Sequence, residues 1–246
     1  TVRTAAYRGW RLPTLNELYR PFRAGADATA ANPSLAPERL SGIEAGIAIE
    51  PGGGLTIGAT GFRNRLNDAI ANVTLASGPG TFPGVGFVAA GGSYRMRRNL
   101  DAIRATGVEV DARWRRGPWL ARASWTRSDS RVRASGAAAA RDGLRPAQTP
   151  RDLLSASLGW SRSEWSAEIG VRHGARQFED DLSRRALAAA TTLDAALAVP
   201  LTAGLSLDLR AENIGDARVE AGIGAGGAIE RATPRALWLG LRWRGR

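Results

Sequence analysis

The feature that most constrains this chain is a two-residue alternation of apolar and polar side chains, which recurs along nearly its whole length. Such a period is typical of a β-strand whose two faces meet different environments. In the segment around Ile43, the apolar residues occupy every second position and none of these positions holds a charge. The other apolar series are Leu55, Ile57, Ala59; Val108, Val110, Ala112, Trp114; Trp119, Ala121, Ala123, Trp125; Leu154, Ala156, Leu158, Trp160; Trp165, Ala167, Ile169, Val171; Leu193, Ala195, Leu197, Val199; Leu205, Leu207, Leu209, Ala211; and Leu237, Leu239, Leu241, Trp243.

The intervening positions carry the polar residues, for example Glu109, Asp111 and Arg113 on one strand. This pattern suits either the core face of a soluble β-sandwich or the lipid face of a membrane β-barrel. In a barrel, an arginine on the lipid face near the midplane costs roughly 2–4 kcal/mol. Alternation alone leaves both architectures open.

The lengths of the connections favour the barrel. Short connections are predicted at residues 51–53, 115–118, 161–164 and 200–204, and long ones at 10–37, 73–99, 128–150, 178–190 and 213–233. Short and long connections alternate, so antiparallel strands place every short turn at one end and every long loop at the other. Outer-membrane barrels have this layout, with short periplasmic turns and long extracellular loops. The Greek-key connections of soluble sandwiches usually break it.

Tryptophan supplies a separate indication. Five of the eight tryptophans adjoin a short turn or the C-terminal end and share the apolar parity. The indole ring favours the boundary between lipid and water. We therefore predict a girdle at the periplasmic membrane interface, formed by Trp114, Trp119, Trp160, Trp165 and Trp243.

Composition excludes several classes of function. The chain has no cysteine and one histidine, His173, so neither a Cys/His zinc site nor most thiol or imidazole catalysis is expected. We expect no enzyme, no cofactor and no catalytic or metal-binding residues. The net charge is +11, and all 34 basic residues are arginine. Without a basic helix or an aromatic array, this charge does not predict nucleic-acid binding. No apolar stretch approaches the roughly 20 residues of a transmembrane helix.

Four sequence blocks carry motifs that can be compared with known families. YRGWRLPTLNELYRPF (residues 7–22) is similar to an extracellular-loop signature of TonB-dependent outer-membrane receptors, and ANPSLAPERLSGIEAG (residues 31–46) to the block that follows it. ATGVEVDARW (residues 105–114) resembles a strand after a long loop, and LSLDLRAENIGDARV (residues 205–219) the penultimate strand. The Pro-Thr and Pro-Ser pairs in these blocks favour turns and caps, LNELY favours a helical turn, and Asn213 with Asp216 favours an Asx-type turn. We expect these residues to be mainly architectural.

The resemblance implies an all-β fold, an antiparallel transmembrane β-barrel. Residues 1–246 would supply about ten C-terminal strands of a 22-stranded barrel, with the N-terminal plug and the earlier strands outside this chain. Open strand edges are not tolerated in hydrocarbon, although a closed ten-stranded barrel is an alternative.

The implied function is a receptor and active importer in the outer membrane of a Gram-negative bacterium. Its ligand would be a ferric siderophore, haem, cobalamin or a similar scarce nutrient. The other partners would be outer-membrane lipid, lipopolysaccharide, and the TonB-ExbB-ExbD complex acting through the missing N-terminal part. The alternatives are a passive porin-like barrel without a plug and, more distantly, a soluble β-sandwich binding module.

Arginine and tyrosine in the long loops are the candidates for ligand contact, because they can hold an anionic ferric chelate by charge-assisted hydrogen bonds and stacking. In the first loop they are Tyr19, Arg20 and Arg23, and in the second Tyr94, Arg95 and Arg97. Loop arginines can equally bind lipopolysaccharide phosphates or remain solvated.

Overall fold

Ten long antiparallel strands form the body of the protein. A computed structural model describes residues 1–224 and 227–244. The strands are β1 (Val2–Arg11), β2 (Glu38–Gly52), β3 (Leu55–Ser77), β4 (Ser93–Arg116), β5 (Trp119–Arg133), β6 (Asp152–Arg162), β7 (Trp165–Gly174), β8 (Ala190–Thr202), β9 (Leu205–Glu212) and β10 (Ala236–Trp243). Each pairs with its neighbours in sequence, in the order β1 to β10. The predicted all-β, antiparallel architecture is confirmed.

The described strands form part of a barrel rather than a closed one. Within residues 1–224 and 227–244, β1 pairs only with β2 and β10 pairs only with β9. A closed ten-stranded barrel is therefore wrong, because its first and last strands would be hydrogen-bonded to each other. The total of 22 strands remains a prediction. No described helix is both long enough and apolar enough to cross a membrane.

The connections alternate as predicted. Residues 53–54, 117–118, 163–164 and 203–204 form tight turns, whereas residues 12–37, 78–92, 134–151, 175–189 and 213–235 form long loops. At the first turn, Gly54 has a φ of +80°, and a Cβ there would lie 1.9 Å from the carbonyl oxygen of Arg115. Glycine is required at this position because the turn packs against the end of β4, whose Arg115 amide donates to the Gly54 carbonyl at 2.9 Å.

The strand register keeps the two faces of the sheet separate. Leu197 lies opposite Leu209, which lies opposite Leu239, and Ala156 lies between Ala123 and Val171. Residues of the polar parity, such as Asp111, Arg122 and Glu168, line a groove on one face of the sheet. We call this the concave face, and the face that carries the apolar parity the convex face. Apolar side chains therefore cover the convex face, and many of its large ones are exposed.

The predicted tryptophan girdle lies at the turn ends of the strands. Trp119 is paired with Trp160, Trp114 with Leu55, and Trp243 with Leu205, each pair within a few residues of a tight turn. Trp165, directly after the turn at residues 163–164, shares this convex face through its pairing with Arg162. The girdle's contact with the membrane interface remains a prediction.

One stretch of strand was predicted as loop. Residues 73–77 and 93–99 belong to β3 and β4, whose hairpin runs beyond the neighbouring strands. The second loop is therefore shorter than expected and spans residues 78–92. Tyr94, Arg95 and Arg97 lie in β4, so their predicted position in a loop is wrong.

The convex face yields a direct test of lipid exposure. We expect Ala156→Arg to destabilise the barrel by about 2–4 kcal/mol, because it places a charge on the face assigned to the membrane. Ser157→Arg is the matched control, since it places the same side chain on the concave face. Both are measured by urea unfolding of the full-length protein in phospholipid vesicles. Equal destabilisation by the two variants would contradict the assignment of the faces.

Candidate functional site

The five long loops lie at one end of the strands and contain secondary structure of their own. We name them L1 (residues 12–37), L2 (78–92), L3 (134–151), L4 (175–189) and L5 (213–235). L1 contains a helix, α1 (Leu15–Tyr19), and a hairpin of Phe22–Ala24 with Asp27–Ala30. Three further loops contain short strand pairs: Gly80–Phe82 with Gly86–Val88 in L2, Gln177–Phe178 with Ala186–Leu187 in L4, and Glu220–Ile223 with Ile229–Arg231 in L5. L3 contains a 3-10 helix, Gly136–Arg141.

The first sequence block folds as a capped helix held by an ion-pair cluster. The Thr14 hydroxyl accepts from the Glu17 amide at 3.2 Å, and the Glu17 carboxylate accepts from the Thr14 amide at 2.7 Å, which together form a capping box. Arg11 donates to Glu17 and to Glu38. Hydrogen bonding from Arg11 and Thr14 outweighs desolvation and lowers the pKa of Glu17 to about 2. The motif is thus architectural, as its turn and cap chemistry predicted.

Arg97 attaches L1 to β4. It is 9% exposed, lies over the Phe22 ring at 5.2 Å, and donates to the backbone carbonyls of Asn16 and Arg20. The Asn32 amide group donates to the Arg97 carbonyl at 2.9 Å. Since two L1 carbonyls depend on one buried guanidinium, the role of Arg97 in this structure is to hold the loop.

L1 also adds a strand to the sheet. Asp27–Ala30 pairs in parallel with Tyr94, Arg95 and Met96 at the free edge of β4. The Asp27 carboxylate accepts from the Ser93 amide and from the Arg95 guanidinium, each at 2.8 Å. Because L1 connects β1 to β2, it passes the β3 strand to reach this edge.

L3 and L4 meet at the opposite edge of the same hairpin. The Asp181 carboxylate accepts from the amide of Thr74 at 2.9 Å, from its hydroxyl at 2.7 Å, and from Arg141 at 2.7 Å. Arg141 is 4% exposed and also donates to the Thr74 carbonyl. Burial alone would raise the pKa of Asp181, but these hydrogen bonds outweigh it and hold the pKa below its ordinary value. Local sequence patterns missed this cluster because its members come from three distant segments.

Of the six predicted ligand contacts, two project freely from the surface. Tyr19 is 65% exposed, and Arg20 next to it is also exposed. Neither side chain has a hydrogen-bond partner among the described residues. They lie together at the C-terminal end of α1, so the structure brings these two candidates to one place.

The other four candidates make contacts within the protein. Arg23 donates to the carbonyls of Val85 and Phe87 in L2. Tyr94 is buried and stacks on Phe82, with ring centroids 4.7 Å apart. Arg95 and Arg97 bind L1 as described above. Ligand contact by these four residues remains a prediction.

A turn follows β9 as predicted, but the Asn213 side chain closes it across four residues, whereas an Asx turn spans two, so the Asx geometry predicted for this site is wrong. Asn213 is buried, accepts from the Ala217 amide at 2.9 Å and donates to the Ala217 carbonyl at 2.9 Å. Asp216 accepts from the Arg235 amide at 3.1 Å. Both side chains therefore shape the beginning and end of L5.

The concave face carries charges of both signs in cross-strand pairs. Arg172 contacts Asp194 at 2.7 Å, and Arg242 contacts Asp208. In the part of the chain that the structure describes, no three His, Cys, Asp or Glu residues form a group able to hold a metal ion.

Comparisons with known proteins agree on one family. The family model described as TonB dependent receptor-like, beta-barrel matches residues 1–214. No curated protein matched in a search with this sequence.

The chain also superposes on solved structures. The copper transporter OprC gives a TM-score of 0.70 at 18% identity, covering 98% of this chain and 37% of that one. The ferric yersiniabactin uptake receptor FyuA from Yersinia pestis gives 0.68 at 18%, covering 98% and 34%. A ferric enterobactin receptor mutant from Pseudomonas aeruginosa, PfeA, gives 0.65 at 21%, covering 98% and 38%. This chain therefore spans about a third of the length of these proteins, with the same fold.

The buried Arg141–Asp181 pair predicts a strong local effect. We expect Asp181→Asn to destabilise the packing of L3 and L4 on β3 by about 3–5 kcal/mol, because it leaves Arg141 buried without its carboxylate. Hydrogen exchange of the Thr74 amide in the full-length receptor measures this. Asp142→Asn is the control, since Asp142 contacts Arg133 at 3.5 Å near the surface and such pairs contribute about 1 kcal/mol or less. A Thr74 amide equally protected in both variants would refute the prediction.

The lowered pKa of Glu17 predicts acid sensitivity of L1. Its folded pKa of about 2 lies below the ordinary 4.5, so its contribution to stability is complete above pH 4.5 and is lost as the pH falls from 4.5 towards 2. Protection factors of the α1 amides, corrected for intrinsic exchange rates, should fall across that window. Glu17→Gln keeps the capping geometry but should flatten the profile, and an unchanged profile would argue against the assignment.

Proposed function

This chain belongs to the TonB-dependent receptor-like β-barrel family, and we propose that it is the C-terminal barrel segment of an outer-membrane receptor that imports a metal chelate. The observation that carries the proposal is the family match combined with a partial barrel that has tight turns at one end and folded loops at the other. The remaining strands and a plug would belong to the rest of the protein. The unpaired edges of β1 and β10 support this, because a membrane leaves such edges without hydrogen-bond partners.

We propose an anionic ferric chelate as the ligand class. The similar structures include a copper transporter and receptors for ferric yersiniabactin and ferric enterobactin. In this chain, Tyr19 and Arg20 offer an exposed aromatic ring and an exposed guanidinium at successive positions of L1. Stacking and charge-assisted hydrogen bonds from these groups suit a catecholate or carboxylate chelate.

The energy source proposed is the TonB-ExbB-ExbD complex acting on the plug. Uptake of radiolabelled ferric siderophores is measured in cells that express the full-length receptor, with and without the TonB gene. Active import requires that uptake be lost in the TonB-deficient cells. Uptake that persists there and rises linearly with ligand concentration would instead identify a passive porin.

Tyr19 and Arg20 are the residues to test first. We expect Tyr19→Ala combined with Arg20→Gln to weaken ferric-chelate binding by about tenfold or more, since a hydrogen bond to a charged group contributes about 1.5–3 kcal/mol. Equilibrium binding to the purified full-length receptor measures the effect.

Arg184→Gln is the control for this prediction. It removes the same charge from another exposed arginine, located in L4, and should leave affinity within about twofold, because surface charges are largely screened at physiological salt. If Arg184→Gln weakens binding as much as the double variant, binding depends on overall loop charge and the Tyr19–Arg20 contact is wrong.

A further inference from the structure

Five arginines cluster on the convex face of β1–β4, at the loop end of the strands. They are Arg8, Arg39, Arg63, Arg65 and Arg104, and all five are exposed; we name them the outer arginine cluster. Strand register connects them: Arg8 lies opposite Ser41, Ser41 opposite Arg65, and Arg65 opposite Arg104. The cluster therefore forms one patch across four neighbouring strands.

The patch directly continues the apolar convex face. Arg63 lies opposite Ile43, and Arg104 is four residues from Val108 on the same parity of β4. Arg8, Arg63 and Arg65 line a surface depression of about 530 Å³ together with Ser41 and Ile43. These arginines thus lie at the boundary between the apolar surface and the loops.

The cluster has no neutralising carboxylate partner among the residues that the structure describes. None of its five guanidinium groups forms an ion pair with a residue in 1–224 or 227–244. The acidic residues of β1–β4 all have the concave parity: Glu38, Glu44, Glu50, Asp68, Asp101, Glu109 and Asp111.

On the next strand, β5, the arginines of the convex face are neutralised by carboxylates of the protein. On β5, Arg127 contacts Asp152, Arg131 contacts Asp129, and Arg133 contacts Asp142. Each arginine on the convex side of β5 thus has a carboxylate within 4 Å, whereas those of the outer arginine cluster have none. Arginines without a carboxylate partner are therefore specific to β1–β4 and are not found on β5, at the same loop end of the convex face.

Like charges placed directly opposite across strands are unfavourable, and Arg65 and Arg104 are such a pair. An anion from outside the protein removes this penalty. Guanidinium groups bind phosphate in a bidentate manner, and the headgroup phosphates of a membrane lie where the apolar face of a barrel ends. We infer that the outer arginine cluster binds the phosphate groups of outer-leaflet lipopolysaccharide. This inference rests on the proposed outer-membrane orientation, with the long loops outside the cell.

Elsewhere on the rim, the described residues form no comparable group of arginines without carboxylate partners. At the loop ends of β6–β9, the convex positions hold Asp152, which pairs with Arg127, and then Leu154, His173, Thr191 and Ala211. At the turn ends, tryptophans dominate, accompanied by Arg116 and Arg162. We therefore expect lipopolysaccharide to be bound on one side of the barrel only, next to β1–β4.

The test compares two double variants of the full-length receptor. Arg65→Gln with Arg104→Gln removes two cluster arginines, and Arg116→Gln with Arg162→Gln removes two arginines of the same face at the opposite rim. Native mass spectrometry of the detergent-solubilised receptor titrates bisphosphorylated lipid A and its dephosphorylated form. We expect bisphosphorylated lipid A to bind roughly fivefold more weakly for each cluster arginine removed, so about 25-fold for the pair. The opposite-rim variant should bind like the wild type.

Three results would overturn the inference: equal lipid A affinity in the cluster variant and the wild type, equal binding of the dephosphorylated lipid, or displacement of lipid A by millimolar inorganic phosphate, which would indicate a site for free anions. Heat-dependent gel mobility verifies that each variant is folded. If the double variant does not fold, Arg104→Gln alone and the charge-retaining Arg65→Lys with Arg104→Lys take its place, with weakened and retained binding expected respectively. A receptor absent from the outer-membrane fraction would refute the proposed function itself, which is a separate result from weak lipid A binding.

Discussion

The structure depends on the antiparallel hydrogen-bond ladder, which satisfies the backbone of each strand through its neighbours. In hydrocarbon no water replaces a missing partner, so a continuous ladder is the condition for placing extended chain in a membrane. Because each of the ten long strands pairs with the strand next to it in sequence, tight turns of two residues suffice at one end. The other end is free to carry long insertions, and this is where recognition can vary without disturbing the ladder.

Backbone groups also need hydrogen-bond partners at the loop end of the sheet, where the β3–β4 hairpin extends beyond the neighbouring strands and has an edge on each side. There, loop segments and the first residue of β2 replace the missing strands. Asp27–Ala30 pairs with the β4 edge, while on β3 the Glu38 carboxylate, at the start of β2, accepts from the Ile70 amide at 2.7 Å and Asp181 of L4 accepts from the Thr74 amide. Exposed strand edges promote unwanted association. The buried ionic groups of the loops are thus explained by backbone hydrogen bonding before any ligand is considered.

Sequence periodicity predicted the strands wherever the two faces meet different surroundings. It failed for residues 73–77 and 93–99 because both faces of that hairpin tip are covered by protein: Val73 packs with Ala138 of L3, and Arg97 is covered by L1. With no contrast between faces, alternation is not required. The helix cap at Thr14 and the turn at Asn213 could be located from the sequence because their partners lie within four residues. The contacts of Arg97 and Asp181 were not, since their partners are brought together only by the tertiary fold. The outer arginine cluster could have been predicted from the sequence alternation, because its members share the face of Ile43 and lie beyond the apolar series of their strands.

The strand that L1 adds to β4 also imposes an order on assembly. Asp27 and Ser93 are joined by a hydrogen bond across 66 residues of chain, and β2, β3 and L2 lie between them in sequence. L1 therefore has no surface to pair with until β4 has reached its place beside β3, and closing so long a segment carries an entropic cost that only a preformed partner offsets. A chain interrupted before residue 93 would therefore leave the Asp27–Ala30 strand of L1 without the edge that it pairs with.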